Sequence, residues 1–508
     1  MTRSFSRSTP TLAEIRTLAA IATLAAAPTR AAPLTLAAPL IRAAALTLAA
    51  VVALAAASPA AAQDYYSDIR PVLVENCMRC HSDQGIGWSM EDPEQTYMLR
   101  HAIAAAVLER RMPPWLAEPG HQRYVDDLSL ATYVIDLVRE WRDDDFPKGE
   151  PRPDPAPASA AGGHGAGSGF RPDVSVDVLP GGSYMPNQSR SDDYRCFVVD
   201  WPGDESTYVT GFRAVPGNTR VAHHLVVHAV SPEMKDRFRE LEAEEEGAGY
   251  QCFGGAVPDR LGRRAEREAY ESRYPEGIRQ LSLGSFWLAH WAPGMDGHHF
   301  PEGTGIRVDP GSALVVQMHY YGGAAPGESD AGTRMEFTVA AEVERPAFHY
   351  PQTRNAWLAG ERNGSMVIEP GRTATYETSI GLGDMLAYVT RVTQVEQERI
   401  QALEVHSANL HMHAIGHSGE IALTDRNGRR ETLLSVPRWD LRWQRDFTLA
   451  EPKVFSRQEF DGTRLTVRCT FRNPHDAPVY GGYGSDEEMC FNFSYIAVRT
   501  GEPTATEP

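Results

Sequence analysis

Cys77-Met78-Arg79-Cys80-His81 constrains this chain more than any other stretch. Two thiols three positions apart, with an imidazole on the next residue, bring three strong ligand groups to one point. Ile69, Val72 and Leu73 repeat at helical spacing just before them, so the pattern predicts a short helix that ends at the motif. The surrounding fold must then be built around whatever these side chains hold.

The C-x-x-C-H spacing is the one at which two thioethers fix a haem covalently and the histidine supplies an axial nitrogen. A zinc site and a redox cysteine pair are the competing readings. Compartment favours haem. The first sixty residues are rich in Ala and Leu, carry Arg30 and Arg42, and end in an apolar run from Ala43 to Ala57 before Ser58-Pro59-Ala60-Ala61-Ala62. That pattern predicts a secretory signal over residues 1–62, cleaved after Ala62, and a periplasmic or secreted mature protein. An uncleaved anchor is the alternative, but the run is short and Ala-rich for a membrane span, and no later stretch is suited to one.

A haem held this way wants a sixth ligand. Met112, in Arg110-Arg111-Met112-Pro113-Pro114-Trp115, is the candidate because the two prolines after it impose an extended loop; Met90 and Met98 are the alternatives. A His/Met pair leaves no open iron position and makes a one-electron relay. Two more helices are expected, over residues 94–110 and 129–142, the latter with Leu130, Tyr133, Val134, Leu137, Val138 and Trp141 in helical phase. Residues 63–146 thus resemble a small, all-α class I cytochrome c.

With 508 residues the chain is long enough for about three folded units. Acidic residues outnumber basic ones, 67 to 49, which argues against nucleic acid or an anionic membrane as partner. Residues 147–172 turn to Pro, Ala, Gly and Ser, the composition of a flexible tether that would let the haem unit approach another domain without a permanent interface. His164 within it reads as solvated.

From residue 173 onward short alternating strands, broken by turns such as Val215-Pro216-Gly217-Asn218, predict antiparallel sandwiches. The charged stretch from Pro232 to Glu246 reads as a helical surface excursion. Imidazoles recur on this β framework. His411 and His413, at i and i+2 on an extended segment, project to one face and can reach one metal. His223 and His224 are neighbours, so on a regular strand they face opposite sides; both reach one metal only if the strand start is bulged. His319 ends an apolar strand, His228 reads as packing or support, and His290, His298 and His299 read as loop residues. Met489 sits beside Cys490 in an acidic, Gly-rich loop.

In that order, His223-His224, Gln317-Met318-His319-Tyr320, His411-Met412-His413 and Asp486-Glu487-Glu488-Met489-Cys490 resemble the type II copper monooxygenases, whose members include peptidylglycine alpha-hydroxylating and dopamine beta-monooxygenases. The likeness runs over about residues 173–497 and takes in Trp291-Ala292-Pro293-Gly294 and Phe300-Pro301-Glu302-Gly303. It implies two jelly-roll-like sandwiches, residues 173–345 and 346–500, with a copper on each and a solvent-filled cleft between. By position, His223, His224 and His319 would bind an electron-storing copper, and His411, His413 and Met489 the catalytic one. Cys196 with Cys252, and Cys469 with Cys490, would form two of the family's disulfides.

The donor set fits that chemistry. Imidazole suits copper, and a thioether favours Cu(I), the state that takes up oxygen. Two departures bear on substrate: Asn409 stands where the peptide-amidating branch has a carboxylate-binding Arg, and Phe493 where it has a Tyr. The reading is a dicopper monooxygenase with two coppers and one covalent haem c, hydroxylating a C–H bond of a small, neutral or apolar organic substrate with O2. Electrons would come from an external donor: ascorbate, a quinol pathway or a redox protein. The competing readings are a copper and haem electron-transfer or copper-handling protein without catalysis, and an oxidase that makes peroxide.

Overall fold

Ile69 is wholly buried, as are Leu73 and Trp141, and around them the first described elements of this computed structural model pack. The structure describes residues 63–501 apart from 84–87, 126, 156–169, 180–181, 190–191, 253–254, 259–267, 270–271, 273–276, 292–296, 323–324, 359–363 and 483–486. The signal segment, His164, Ala292-Pro293-Gly294 and Asp486 therefore lie outside the described residues.

The helix before the cysteine motif forms over Arg70–Asn76. The expected second helix is two, Pro93–Met98 and Arg100–Leu108, broken at Leu99. Asp92 caps the first by accepting from the N–H groups of Glu94 and Gln95, and Pro93 occupies the first turn, where a missing N–H costs nothing. The last helix, Thr132–Asp143, buries Val134, Ile135, Val138 and Trp141, but Tyr133 is 72% exposed and does not belong to its apolar face.

The segment after Phe146 is less of a tether than its composition predicts. The Pro147 carbonyl accepts from Tyr65 N–H and Trp141 Nε1, both at 2.9 Å. Asp154 pairs with the buried Arg70, whose Nε lies 2.7 Å from its carboxylate. Nor is the helical unit free of a permanent interface. Residues 115–125 lie along the C-terminal sandwich, where Tyr124 bridges to Leu449 in strand fashion and its hydroxyl donates to the Leu433 carbonyl at 2.7 Å. Trp115, Tyr124 and Phe447 pack edge to face. Apolar burial and backbone hydrogen bonds thus override the expectation of a loosely leashed domain, and the described residues from 63 onward form one unit by contact.

The β part is two sandwiches that share a sheet. A ten-stranded sheet runs through Val174–Asp177, Arg334–Ala340, Thr207–Val215, Thr304–Val308, Arg345–Gln352, Phe491–Thr500, Ile400–Ala408 and Phe447–Ser456, with two short strands off this path. One half is covered by a five-stranded sheet whose centre is Asp192–Asp200, Ala313–Tyr321 and Ala222–Val230. The other half is covered by a four-stranded sheet of Thr373–Gly381, Arg464–Arg472, Gly416–Thr424 and Arg430–Val436. Strand Phe491–Thr500 serves both cores: Tyr495 and Ala497 point into the first, Ile496 and Val498 into the second. Side chains alternate along a strand, so a continuously apolar run is what a strand with two buried faces requires.

Both expected disulfides form, Cys196–Cys252 and Cys469–Cys490, each with Cα atoms 5.8 Å apart. The charged helix, Lys235–Ala243, buries Phe238 and Leu241 over the Cys196–Cys252 bridge, so it covers a small core and is not a bare excursion. Among the described residues no helix is long and apolar enough to cross a membrane.

Candidate metal centre

Strand Ala222–Val230 divides its side chains by parity. Leu225, Val227 and Ala229 enter the core, while His224, Val226 and His228 face a cleft. His223 would face the core too, but the ladder slips there: His319 pairs with His224 and the next residue, Tyr320, pairs with Ala222. His223 is the extra residue of a β-bulge, which turns it toward its neighbour's side. That resolves the geometric conflict of two adjacent histidines.

Strand Ala313–Tyr321 supplies the third imidazole by the same alternation, with Leu314, Val316, Met318 and Tyr320 in the core and Gln317 and His319 on the other face. His223, His224 and His319 each offer a ring nitrogen, and these nitrogens lie within 4.8 Å of one another, a set able to hold a metal ion. Tyr194 stacks on His319, ring centroids 4.2 Å apart and planes 3° from parallel. Burial holds the His224 imidazolium well below its ordinary range, and any charge on the neighbouring histidines would push it lower. The ring is therefore neutral near pH 7, the form that ligates. Its Nε2 is buried with no hydrogen-bond partner among the described residues.

Across the cleft, Leu410 and Met412 enter the C-terminal core while His411 and His413 share the opposite face, ring centroids 5.2 Å apart. Each ring is oriented through Nδ1. His411 Nδ1–H donates to Gln444 Oε1, and His413 Nδ1–H donates to the Glu487 carbonyl at 2.9 Å. These bonds select the tautomer whose Nε2 lone pair is available, the usual support of a metal-bound histidine. His411 Nε2 is buried without a hydrogen-bond partner among the described residues, and burial pushes its pKa down to about 4 against the pull of Gln444.

Met489 is almost fully buried beside Leu358, Phe491 and Phe493, and the rings of Phe491 and Phe493 lie 6.4 and 6.3 Å from that of His411. Its neighbour Glu488 fastens the loop: the carboxylate accepts from His413 N–H at 2.9 Å and Ile415 N–H at 2.7 Å. The Cys469–Cys490 bridge anchors the other side.

His224 and His411 line one cleft, together with Tyr194, Trp287, His290, Trp291, Asn409 and Gln444. Sequence reasoning missed part of this wall. His290 is not a loop residue but lies in strand Ser285–Trp291, buried, with its pKa held well below the ordinary range by burial. The available signal was its place between Ala289 and Trp291, both of which enter the core, so that alternation turns His290 to the other face. His228 is buried as expected and packs against Trp287, while His299 is exposed. Gln444 had no signal, since a lone glutamine in a polar stretch announces nothing.

The cysteine motif lines a separate cavity of about 400 Å³ with Cys77, Cys80, His81, Met90 and Met112 on its wall. Both cysteines are free thiols, and His81 Nδ1–H donates to the Trp88 carbonyl at 3.0 Å. Met98, by contrast, is 74% exposed and faces no such cavity.

Residues 367–501 match the family described as copper type II ascorbate-dependent monooxygenase, C-terminal domain. No curated protein is similar enough to match the chain. Among solved structures, the infectious bursal disease virus VP2 subviral particle is similar at 10% identity over 65% of this chain and 72% of that one, with a TM-score of 0.16. The Gx strain of infectious bursal disease virus follows at 9% identity over 65% and 71%, with a TM-score of 0.17. TM-scores so low say nothing about a shared fold. Residues 367–501 carry the C-terminal domain of the copper type II ascorbate-dependent monooxygenases, and the enzyme class this domain implies is that of a copper-dependent monooxygenase.

Proposed function

We propose that this protein is a periplasmic or secreted dicopper monooxygenase that inserts one atom of O2 into a C–H bond of a small organic substrate, with electrons supplied through a covalent haem c. The observation that carries the reading is the single cleft walled by His224 on one side and His411 on the other, within a chain whose residues 367–501 match the copper family. Bound copper supplies one-electron redox chemistry at both sets and, when reduced, oxygen activation. Buried nitrogens on His224 and His411 without hydrogen-bond partners among the described residues fit such an ion.

His223, His224 and His319 would hold an electron-storing copper, and His411, His413 and Met489 would hold the copper that supplies the oxygen chemistry. Gln444 and the Glu487 carbonyl keep the second pair's Nε2 atoms directed away from their own supports. Trp287 and Phe493, ring centroids 4.6 Å apart, form an apolar wall that limits water beside His411. Apart from histidine, the described residues lining the cleft include no ionisable side chain except Tyr194. With Asn409 among them and Phe493 close by, the cleft suits a neutral or apolar substrate, and its described lining includes no Arg or Lys for a peptide carboxylate.

Cys77, Cys80, His81 and Met112 line one cavity and would hold a haem c, the cysteines by covalent attachment and His81 and Met112 as candidate iron ligands, and the group would supply one-electron transfer there. Ascorbate, a quinol pathway or a redox protein would refill it. The test is metal analysis of the mature protein followed by turnover under isotope-labelled oxygen with a panel of neutral substrates. Two coppers and one haem iron per chain, with label in the product, is the expected result; label appearing only in water, or a chain that takes up no copper, overturns it.

A further inference from the structure

The haem cavity borrows one wall residue from the catalytic sandwich. Its described lining comes from residues 76–128 with one exception, Trp443. Trp443 ends the tight turn Leu441–Trp443, while Leu441, two residues before it, and Gln444, the residue after it, line the copper cleft instead. Gln444 is also the acceptor for His411 Nδ1–H. One turn therefore has a face in each cavity, and four residues span at most about 14 Å even when extended.

The turn is held rigidly. Asp440 caps it by accepting from Arg442 N–H, and Gln444 Nε2 donates to the Leu441 carbonyl at 3.0 Å, which aims Oε1 at His411. The next residue, Arg445, places its guanidinium 5.6 Å from the ring of Trp115 on the docked segment. Electron transfer weakens exponentially with distance and runs better through covalent and hydrogen bonds than through gaps. The indole of Trp443, one peptide link, the Gln444 side chain and the bond to His411 make such a path.

We infer that Trp443 and Gln444 are positioning residues that carry electrons from the haem to the His411/His413 copper, so that reducing power enters the enzyme at the catalytic site and not at the His223/His224/His319 set. No described residue between 173 and 345 lines the haem cavity. The step moves one electron and no atom: Fe(II) becomes Fe(III) as Cu(II) becomes Cu(I), and ascorbate, itself oxidised by one electron, restores Fe(II). This inference rests on the functional reading above, and the experiment separates the two.

Full-length protein carrying haem and Cu(II) is given one electron at the haem by a photoreductant without oxygen, and ferrous-haem absorbance is followed. The expected result is a reoxidation phase whose rate is independent of protein concentration. Trp443→Leu and Gln444→Leu should each slow it by about tenfold or more, with the haem spectrum unchanged. His411→Ala/His413→Ala should abolish the phase, and His223→Ala/His224→Ala should leave it. If Trp443→Leu fails to take up haem, Gln444→Leu, outside the haem cavity, decides. Wild-type rates in the variants, or a phase lost only with the His223/His224 pair, overturns the route while leaving the monooxygenase standing. A mature protein without haem iron overturns the haem half of the functional reading and the route with it.

Discussion

The Glu488 carboxylate accepts the backbone N–H of His413 at 2.9 Å, tying the loop that carries Met489 to the segment that carries two histidines. The same carboxylate accepts from Ile415 and Met489. Gln at this position offers an NH2 where backbone N–H groups already point, so one bond becomes a donor–donor clash. Glu488→Gln should cost about 1–3 kcal/mol of stability and reduce copper at the C-terminal set. Calorimetry with metal analysis checks both; an unchanged melting temperature and full copper would show that the anchor is dispensable.

Asp446 gives the protein a pH dependence of known sign. Burial pushes its carboxyl up to about 7, although Asn409 and Ser407 bond to it and pull the other way, and its Oδ1 has no hydrogen-bond partner among the described residues. The unfolded chain releases this proton near pH 4. Between that point and about 7 the native state binds more protons than the unfolded one, so stability falls as pH rises through the window. Asp446→Asn should flatten this part of the profile and raise stability by about 1–3 kcal/mol at pH 8. Melting curves across the window read the slope, and a variant that tracks the wild type would remove Asp446 as its source.

Tyr194 lies flat on His319 and should set how firmly the first triad is held. An aromatic stack contributes about 0.5–1.5 kcal/mol. Tyr194→Ala should therefore weaken copper binding at that triad by a factor of about 2 to 10, measured by competition with a copper chelator while the second site is disabled by His411→Ala. Equal affinity in the two proteins would make the stack incidental.

Removing the Cys469–Cys490 bridge opens a loop whose ends are 21 residues apart. The double change to Ala should lower stability by about 3 kcal/mol, with the larger effect on copper in the C-terminal set because the bridge adjoins Met489. Chemical denaturation gives the first quantity, copper content the second.

The sequence was most informative where chemistry depends on spacing. The i, i+2 relation of His411 and His413 placed them on one face without any tertiary information, and Leu410 and Met412 enter the core as alternation requires. His223 and His224 could not be settled, because a bulge is a property of a ladder and the partner strand lies about a hundred residues away. Tyr133 misled for a simpler reason: helical spacing admits a residue at the edge of the apolar face, and a tyrosine tolerates water there. The docking of residues 115–125 was illegible, since nothing in the sequence brings Trp115 and Tyr124 together with Phe447, more than three hundred residues away. Composition misread the start of the linker because the two hydrogen bonds to the Pro147 carbonyl and the ion pair of Arg70 with Asp154 fasten it to the helices despite a low-complexity background.

Strand Phe491–Thr500 lends alternate side chains to two different cores, and this limits how the enzyme can be taken apart or set in motion. A truncated chain holding only the C-terminal sandwich would leave Tyr495 and Ala497 facing water and strip strand Arg345–Gln352 of its partner Thr304–Val308, a raw edge that invites aggregation. In the whole molecule the same seam resists a wide hinge, because swinging one half away would tear a hydrogen-bonded ladder. On the proposed function, fitting a substrate between the histidine sets would then fall to side chains and rim loops.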